Sequence, residues 1–396
     1  MKKIVIIFMI LLIFMVACSK KHIPVAPDES INTPTLTPLS AAQITQTAAA
    51  LQTAGIGAQQ TATAQDQQTA AATATATAAA IVATQTAAAI VATQTAVAIV
   101  ATQTAVATIP YTNLASVPGG TYTQTDGTSS FSHTISTFKM GKYQVTYDLW
   151  YTVYQWAIAN GYSFANAGAE GTNGIVGAAP TTAKYQPVTY INWRDSIVWC
   201  NAYSQKTGLS PVYCSDAAFT TPIKSSADGS YGSSINTTTG GFDNPYVNWN
   251  TNGFRLPTEG EWQYAASYID GSSWTPYNYA SGATAAYTNA TATGLVAWYS
   301  GVYSSNCTGT QAVGGKIANA LGIYDMSGNV EEWCWDWWGN YPGTSTDYRG
   351  SGSGVGRVDR GGSCYPSDSY LQVGSRSSYS PYNRYWGDGL RLARTY

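Results

Sequence analysis

The sequence is poor in charge. Charged residues make up 10% of its 396 residues, the formal net charge is −2, and the sequence pI is about 5.7. No long basic run follows the first few residues, and neither Lys nor Arg occurs between Lys21 and Lys139. Proteins that bind nucleic acid need a basic patch to neutralise the phosphates. We therefore predict that nucleic acid is not a partner.

Histidine and paired cysteines are also scarce. His133 is the only histidine after the N-terminal segment, and the sequence contains no CxxC motif. Zinc sites of the Cys/His kind and Ser/His/Asp catalytic arrangements need those residues, so we predict no metal site and no cofactor. Five cysteines lie beyond the N-terminal segment, and an odd number cannot all pair with one another. The sequence alone assigns no disulfide among them. They are Cys200, Cys214, Cys307, Cys334 and Cys364.

The N-terminus has the features of a secretion signal. Two lysines precede an apolar run of 14 residues over 4–17, too short for a membrane-spanning helix. The run ends in MVAC, which resembles the lipobox of bacterial lipoproteins. The resemblance implies a signal peptide over 1–17 and lipidation of Cys18. We expect a lipid-anchored protein of a bacterial membrane, exposed on the outer membrane. The alternative is an ordinary signal peptide followed by a chance cysteine.

A low-complexity stalk follows the anchor. Residues 18–40 are rich in Pro, Ser and Thr and predict a flexible tether. Residues 41–108 consist almost wholly of Ala, Thr, Gln, Ile and Val, and IVATQT recurs every nine residues, at 81, 90 and 99. This period places successive Ile-Val pairs on opposite faces of a helix, unlike a heptad seam. We predict a spacer that is helical in part, and oligomerisation through the stalk is the alternative.

The composition changes at about residue 111. All 13 tryptophans lie at or after Trp150, and glycine and turn residues become frequent. Residues 111–396 suit one large, irregular α+β domain.

Cap signals predict three helices in this domain. The first follows a Thr146 N-cap and ends at Gly161, and the second begins near NWRD and ends at Gly208. In the third, Thr258 and Glu261 form a capping box.

Seven phrases in the folded region carry a family resemblance. Together they are similar to the formylglycine-generating-enzyme-like domain, an irregular variant of the C-type lectin fold, and RLPTEGEW with DMSGNVEEW is the most specific pair. The resemblance implies that fold for about 280 residues. The phrases are VPGGTY (117–122), QVTYDLW (144–150), PVTYINWRDSIVWCNAYSQKTGL (187–209), GFRLPTEGEWQYAA (253–266), GIYDMSGNVEEWCWDWW (322–338), RVDRGGS (357–363) and GLRLAR (389–394).

Apart from the resemblance, the residue types in these phrases indicate structural roles and not a binding or catalytic site. Arg255 and Glu332 stand in apolar, Trp-rich surroundings, which predicts that they are buried and paired. Gly361 and Gly362 suit a close backbone approach or positive φ. An alternating tryptophan set predicts a core strand and comprises Trp333, Trp335, Trp337 and Trp338.

The sequence argues against catalysis. By the resemblance, the enzymes of this family use two cysteines shortly after the RGGS phrase, whose thiolates bind copper and handle oxygen. Here only Cys364 occurs, and the expected places of the pair hold residues near Pro366 and Leu371. We predict a protein that is not an enzyme. The alternative is a divergent oxidase in which another cysteine is brought close to Cys364 in space.

The C-terminal stretch is rich in tyrosine and serine. From Cys364 to Asp388, 11 of 25 residues are Tyr or Ser, between the fixed phrases RGGS and GLRLAR. The pattern resembles the variable proteins of diversity-generating retroelements, in which adenine-directed rewriting of the gene's 3′ end varies such positions over about 360–395. By this resemblance the substituted, ligand-binding positions are Cys364, Tyr365, Ser367, Ser369, Tyr370, Ser375, Ser378, Tyr379, Tyr382, Tyr385, Trp386 and Asp388.

This composition also suits binding on physical grounds. Tyr offers a large, stiff contact area with a polar tip, and Ser adapts its hydrogen bonds at little entropic cost. We expect an unknown protein or cell-surface ligand. Two alternatives stay open: a fixed Tyr/Ser-rich loop in a non-variable family member, and an envelope protein whose domain only supports assembly.

Overall fold

The structure, a computed structural model, describes residues 73, 75–78, 113–227, 233–303, 305–365 and 368–395. The predicted signal peptide, the lipidation site Cys18, the tether and nearly all of the stalk lie outside these ranges. Residues 73 and 75–78 are helical. No helix within the described part of the chain is long and apolar enough to cross a membrane.

Fourteen short strands form five small sheets within the described residues. The sheet orders are β1–β4–β14, β10–β3–β2 and β12–β11–β9–β13, with two-stranded ladders β5–β6 and β7–β8. The strands are β1 (Leu114–Val117), β2 (Gly120–Thr125), β3 (Ser130–Ile135), β4 (Phe138–Gly141), β5 (Ala169–Glu170), β6 (Val188–Thr189), β7 (Tyr213–Cys214), β8 (Tyr246–Val247), β9 (Glu331–Trp337), β10 (Ser345–Thr346), β11 (Arg357–Arg360), β12 (Ser377–Tyr379), β13 (Asp388–Gly389) and β14 (Ala393–Thr395).

The α-helices described after residue 112 are α1 (Tyr147–Ala159), α2 (Trp193–Lys206), α3 (Glu259–Ser267) and α4 (Ala290–Val296). The sequence predicted the first three, and the structure confirms their caps. The Thr146 hydroxyl accepts a hydrogen bond from the Leu149 amide, and the Thr258–Glu261 capping box is formed. The short α4, capped by Asn289, was not predicted, because ATATGLV lacks a helical apolar period.

The core is aromatic and lies where helices meet sheets. One cluster joins α1 and α2 to β9, and within it the stacked rings of Trp150 and Trp199 have centroids 5.4 Å apart. A second cluster joins α3 to β1, β2 and β4. Trp333, Trp335 and Trp337 are buried, which confirms the predicted core strand, whereas Trp338 lies beyond the strand and is exposed.

The two charges predicted to be buried and paired are so. Arg255 pairs with Glu261 at 2.6 Å, and Glu332 receives two hydrogen bonds from Arg391, at 2.7 and 2.9 Å. Glu332 also accepts from Gln144 and from the Trp262 indole N–H. Buried carboxylates need such complete satisfaction. The hydrogen bonds from Trp262 and Arg391 to Glu332 fix α3 and the GLRLAR segment against β9.

Candidate functional site

The first half of the Tyr/Ser-rich stretch is held by a tight glycine turn. Gly361 and Gly362 have φ of 98° and 67°, which confirms the predicted positive φ. A Cβ on Gly362 would lie 3.0 Å from the Tyr370 backbone, so only glycine fits this approach. Beyond the turn, the 3₁₀ helix Asp368–Leu371 and buried Val373 bring the chain back along the domain.

The second half is held by charged residues. Arg376 pairs with Glu259 of α3 at 2.7 Å and lies over the rings of Trp338 and Tyr341. Arg384 donates to Asn166 at 2.6 Å. β12 pairs with β11, and β13 pairs in parallel with β9. The stretch therefore covers one region of the β12–β11–β9–β13 sheet.

Most of the predicted binding positions are accessible. Tyr370 and Tyr385 are the most exposed, at 44% and 42%. Ser367 lies outside the described residues. Half-buried positions are Tyr365, Ser369, Ser375, Ser378, Tyr379, Tyr382 and Trp386.

Three groups of these side chains are in contact or line a common space. The rings of Tyr365 and Trp386 meet edge to face with centroids 3.9 Å apart. The rings of Tyr379 and Tyr385 lie 4.9 Å apart. Tyr370 and Ser375 line one cleft. We call these six residues the Tyr/Ser surface.

Other predicted positions stand apart from this surface. Ser378 alternates with Tyr379 along β12 and so points to the opposite face of that strand. Tyr382 lies against the guanidinium of Arg194, 5.7 Å from its ring centroid. The structure therefore divides the predicted set instead of gathering it on one face.

Two predicted binding positions are buried, which corrects their assignment to an exposed surface. Cys364 is 1% exposed and forms a disulfide with Cys307. Asp388 is 3% exposed because β13 inserts it beside β9. Neither side chain is placed to meet a ligand directly in this conformation.

Several residues that border the candidate site could not be identified from the sequence. Cys307 is 57 residues from its partner, and no spacing rule connects them. Glu331 and Asp359 stand inside family phrases and read as scaffold, yet both line the cleft beneath Tyr370. Alternation along β9 and β11 was the one available signal, because it sets which side chains share a face.

The buried carboxyl group of Asp336 lies beside the Arg376–Glu259 pair, and we expect it to make the free energy of unfolding depend on pH. Burial first, and then the Glu259 charge, raise its pKa to about 8. A raised carboxyl pKa stabilises the fold at low pH, and this contribution is lost as pH rises through the folded-state value. Between about pH 4 and pH 8 this group should lower the free energy of unfolding by about 1.4 kcal/mol per pH unit.

Asp336→Asn should remove that contribution, since the amide oxygen can still accept from the Glu259 amide. Urea unfolding at pH 5, 6 and 7 measures both slopes. Asp270→Asn is the control, because hydrogen bonds to Ser272 and Ser273 lower the pKa of that exposed carboxyl to about 2, below this window. Equal slopes in wild type and Asp336→Asn would contradict the assignment.

The fold and the motifs define the class. Residues 100–396 match the model of the sulfatase-modifying factor enzyme 1-like domain, and the chain belongs to this family. The structure is similar to Treponema denticola variable protein 1, with a TM-score of 0.54 and 30% identity, covering 72% of this chain and 95% of that one. This confirms the predicted α+β, C-type-lectin-like fold of the formylglycine-generating-enzyme type.

Curated relatives have more than one described role. Chaperone protein LppX of Paenibacillus barcinonensis is 29% identical over 288 residues, which cover 72% of this chain and 89% of LppX. The formylglycine-generating enzyme of Thermomonospora curvata is 32% identical over 169 residues, which cover 37% of this chain. That match spans 51% of the enzyme's length. The family therefore contains enzymes beside the variable protein.

Proposed function

We propose that this chain is a surface-displayed bacterial lipoprotein that binds a protein ligand through the Tyr/Ser surface. In this proposal, acyl chains on Cys18 anchor it to the outer membrane and residues 41–108 act as a spacer. The observation that carries the proposal is the contrast between the Tyr/Ser surface and its supports. Tyr370 and Tyr385 are exposed, whereas Leu371, Val373 and Leu390 of the same C-terminal segment are buried.

The physical chemistry of the exposed residues supports binding. Large aromatic side chains contribute most of the energy at protein interfaces, and tyrosine loses little conformational freedom there. A support fixed by ion pairs and a tight turn limits the ordering entropy that association costs. Side chains of the Tyr/Ser surface can thus change with little effect on their support.

Similarity to Treponema denticola variable protein 1 supports a further step, namely that the C-terminal stretch is diversified. Sequencing the locus tests this directly. We expect a near-copy of the 3′ end that differs mainly at adenines, beside a reverse-transcriptase gene. Finding neither would favour a fixed binding protein of the same fold.

The oxidase alternative has one structural argument, because Cys307 does lie beside Cys364. Against it, both sulfurs are buried and joined in a disulfide. Burial also raises the pKa of the Cys200, Cys214 and Cys334 thiols, which is opposite to what a reactive thiolate needs. Thiol labelling with copper titration of the native protein tests this alternative, and rapid labelling with tight copper binding would favour it.

Peptide-display selection on the full-length protein tests ligand binding. We expect the selected peptides to bind at least about tenfold more weakly when Tyr370, Tyr385 and Trp386 are replaced by Ala together, since truncating aromatic hot spots costs about 2 kcal/mol or more. Ile158→Ala, an equally exposed apolar residue on α1, is the control. Peptides that bind the triple variant as well as wild type would overturn the proposal.

A further inference from the structure

A short loop beside the Tyr/Ser surface exposes two consecutive apolar side chains. The loop projects between Ser300 and Ser305, which form an antiparallel bridge. Val302 is 92% exposed and Tyr303 is 48% exposed. Val302 is the most exposed of the large hydrophobic side chains in the described ranges. We call Gly301, Val302 and Tyr303 the tip.

Hydrogen bonds at its base and one ring contact hold this loop in place. The Asn306 side chain accepts from the Tyr299 amide at 2.9 Å and donates to the Ala297 carbonyl at 3.0 Å. The Asn306 amide donates to the Tyr299 carbonyl at 2.9 Å. The Tyr303 ring meets the Tyr287 ring edge to face, with centroids 5.8 Å apart. A backbone that is fixed in this way lowers the ordering entropy that a contact with another protein would cost.

The tip contacts the C-terminal stretch directly. The Tyr303 amide donates to the Asp368 carboxylate at 2.8 Å. A Cβ on Gly301 would lie 2.6 Å from the carboxyl carbon of Asp368, so the two segments pack closely. Asp368 begins the 3₁₀ helix that carries Tyr370. The tip and Tyr370 are therefore positioned by the same buried carboxylate.

The second stem of the loop is joined to the same stretch. The Tyr365 hydroxyl donates to the Thr308 carbonyl at 2.9 Å. The neighbouring disulfide between Cys307 and Cys364 links the two backbones covalently. The loop and the first half of the Tyr/Ser surface thus form one continuous surface on a shared support.

This combined surface is poor in charge. The sequence contains no Lys, Arg, Asp or Glu from residue 271 to residue 315. Within 361–375 the one charged residue is Asp368, which is 4% exposed. The cores of protein interfaces are depleted in charge and enriched in Tyr and Trp. A charged partner group would lose its hydration here without gaining an opposite charge, so the surface fits an uncharged partner.

We propose that the tip is a second, constant contact for the protein ligand and packs into an uncharged, apolar depression on that ligand. The inference rests on the proposed function and specifies the surface chemistry of its ligand. The tip lies outside residues 360–395, the stretch that the proposed function assigns to diversification. Val302 and Tyr303 therefore meet each ligand, whereas the Tyr/Ser surface distinguishes one ligand from another.

The probes are the peptides obtained by display selection on the full-length protein. Val302→Ser combined with Tyr303→Ala should weaken their binding by at least about fivefold, because apolar contact area is lost. The Tyr303 amide is unchanged in this tip variant, so the loop keeps its bond to Asp368. Ile158→Ser combined with Phe219→Ala removes two exposed apolar side chains elsewhere and should leave the affinity unchanged.

Two further measurements test the uncharged character of the contact. The loss in the tip variant should be the same within about twofold at about 0.05 M and about 0.5 M NaCl, because salt screens only charged interactions. Val302→Lys should also weaken binding by at least about fivefold, since the ligand would have to desolvate the added charge. Thermal unfolding checks that each variant is folded.

The outcomes separate this inference from the proposed function. An unchanged affinity in the tip variant, or a loss that disappears at high salt, would overturn the apolar contact. If binding still depends on Tyr370, Tyr385 and Trp386 in that case, the proposed function stands without it. If neither the tip variant nor the triple variant loses affinity, both proposals are wrong.

Discussion

Replacing Arg391 by Met should lower the free energy of unfolding by about 3–5 kcal/mol. Arg391 is fully buried and donates twice to Glu332, and it also donates to the carbonyl oxygens of Gly141 and Tyr324. The variant leaves the Glu332 carboxylate buried without its positive partner. Urea unfolding followed by tryptophan fluorescence measures the change.

Arg394→Met is a matched control three residues further along the chain. The Arg394 guanidinium lies over the Phe254 ring, 5.6 Å from its centroid, and forms no ion pair within the described residues. We expect a loss below about 1 kcal/mol there. Similar losses of unfolding free energy in the two variants would show that the Arg391–Glu332 pair stabilises the fold no more than the Arg394 contact does.

Removing the Cys307–Cys364 disulfide should also have a large effect. The bond closes a loop across a sequence separation of 57 residues. Loop-closure entropy for that length predicts a loss of about 4 kcal/mol in the Cys307→Ser, Cys364→Ser double variant. Chemical unfolding of oxidised wild type and of the double variant measures the difference.

Reductant provides the control for this prediction. It should lower the stability of wild type toward that of the double variant and leave the double variant itself unchanged. A double variant as stable as oxidised wild type would show that the disulfide does not constrain the unfolded chain. The result also bears on diversification, because a residue at 364 that closes a disulfide is not free to vary without loss of stability.

Local chemistry made much of the fold predictable. The caps at Thr146 and Thr258 depend on neighbours within three residues, and the alternation of Trp333, Trp335 and Trp337 is a property of one strand. Family phrases supplied the fold class. The sequence could also predict that Arg255 and Glu332 are buried, but not that Arg391 is the partner of Glu332, because that pair joins segments 59 residues apart.

The candidate site was predictable as a stretch of sequence and not as a surface. Composition identified Tyr370, Tyr379 and Tyr385, which are accessible. It also included Cys364 and Asp388, which the disulfide and β13 place in the interior. Asp388 stands near Glu331 and Asp359, two residues that the sequence identifies only as scaffold. Only the register of β9, β11 and β13 brings those three together.

The order of the β12–β11–β9–β13 sheet has a consequence for how this protein can evolve. The family phrases form the two central strands and also include Gly389 of the outer strand β13, whereas the outer strand β12 lies outside them. A substitution on an outer strand disturbs hydrogen bonding to one neighbour only, and no further strand depends on it for its register. A lineage can therefore explore many β12 sequences while retaining the same two central strands.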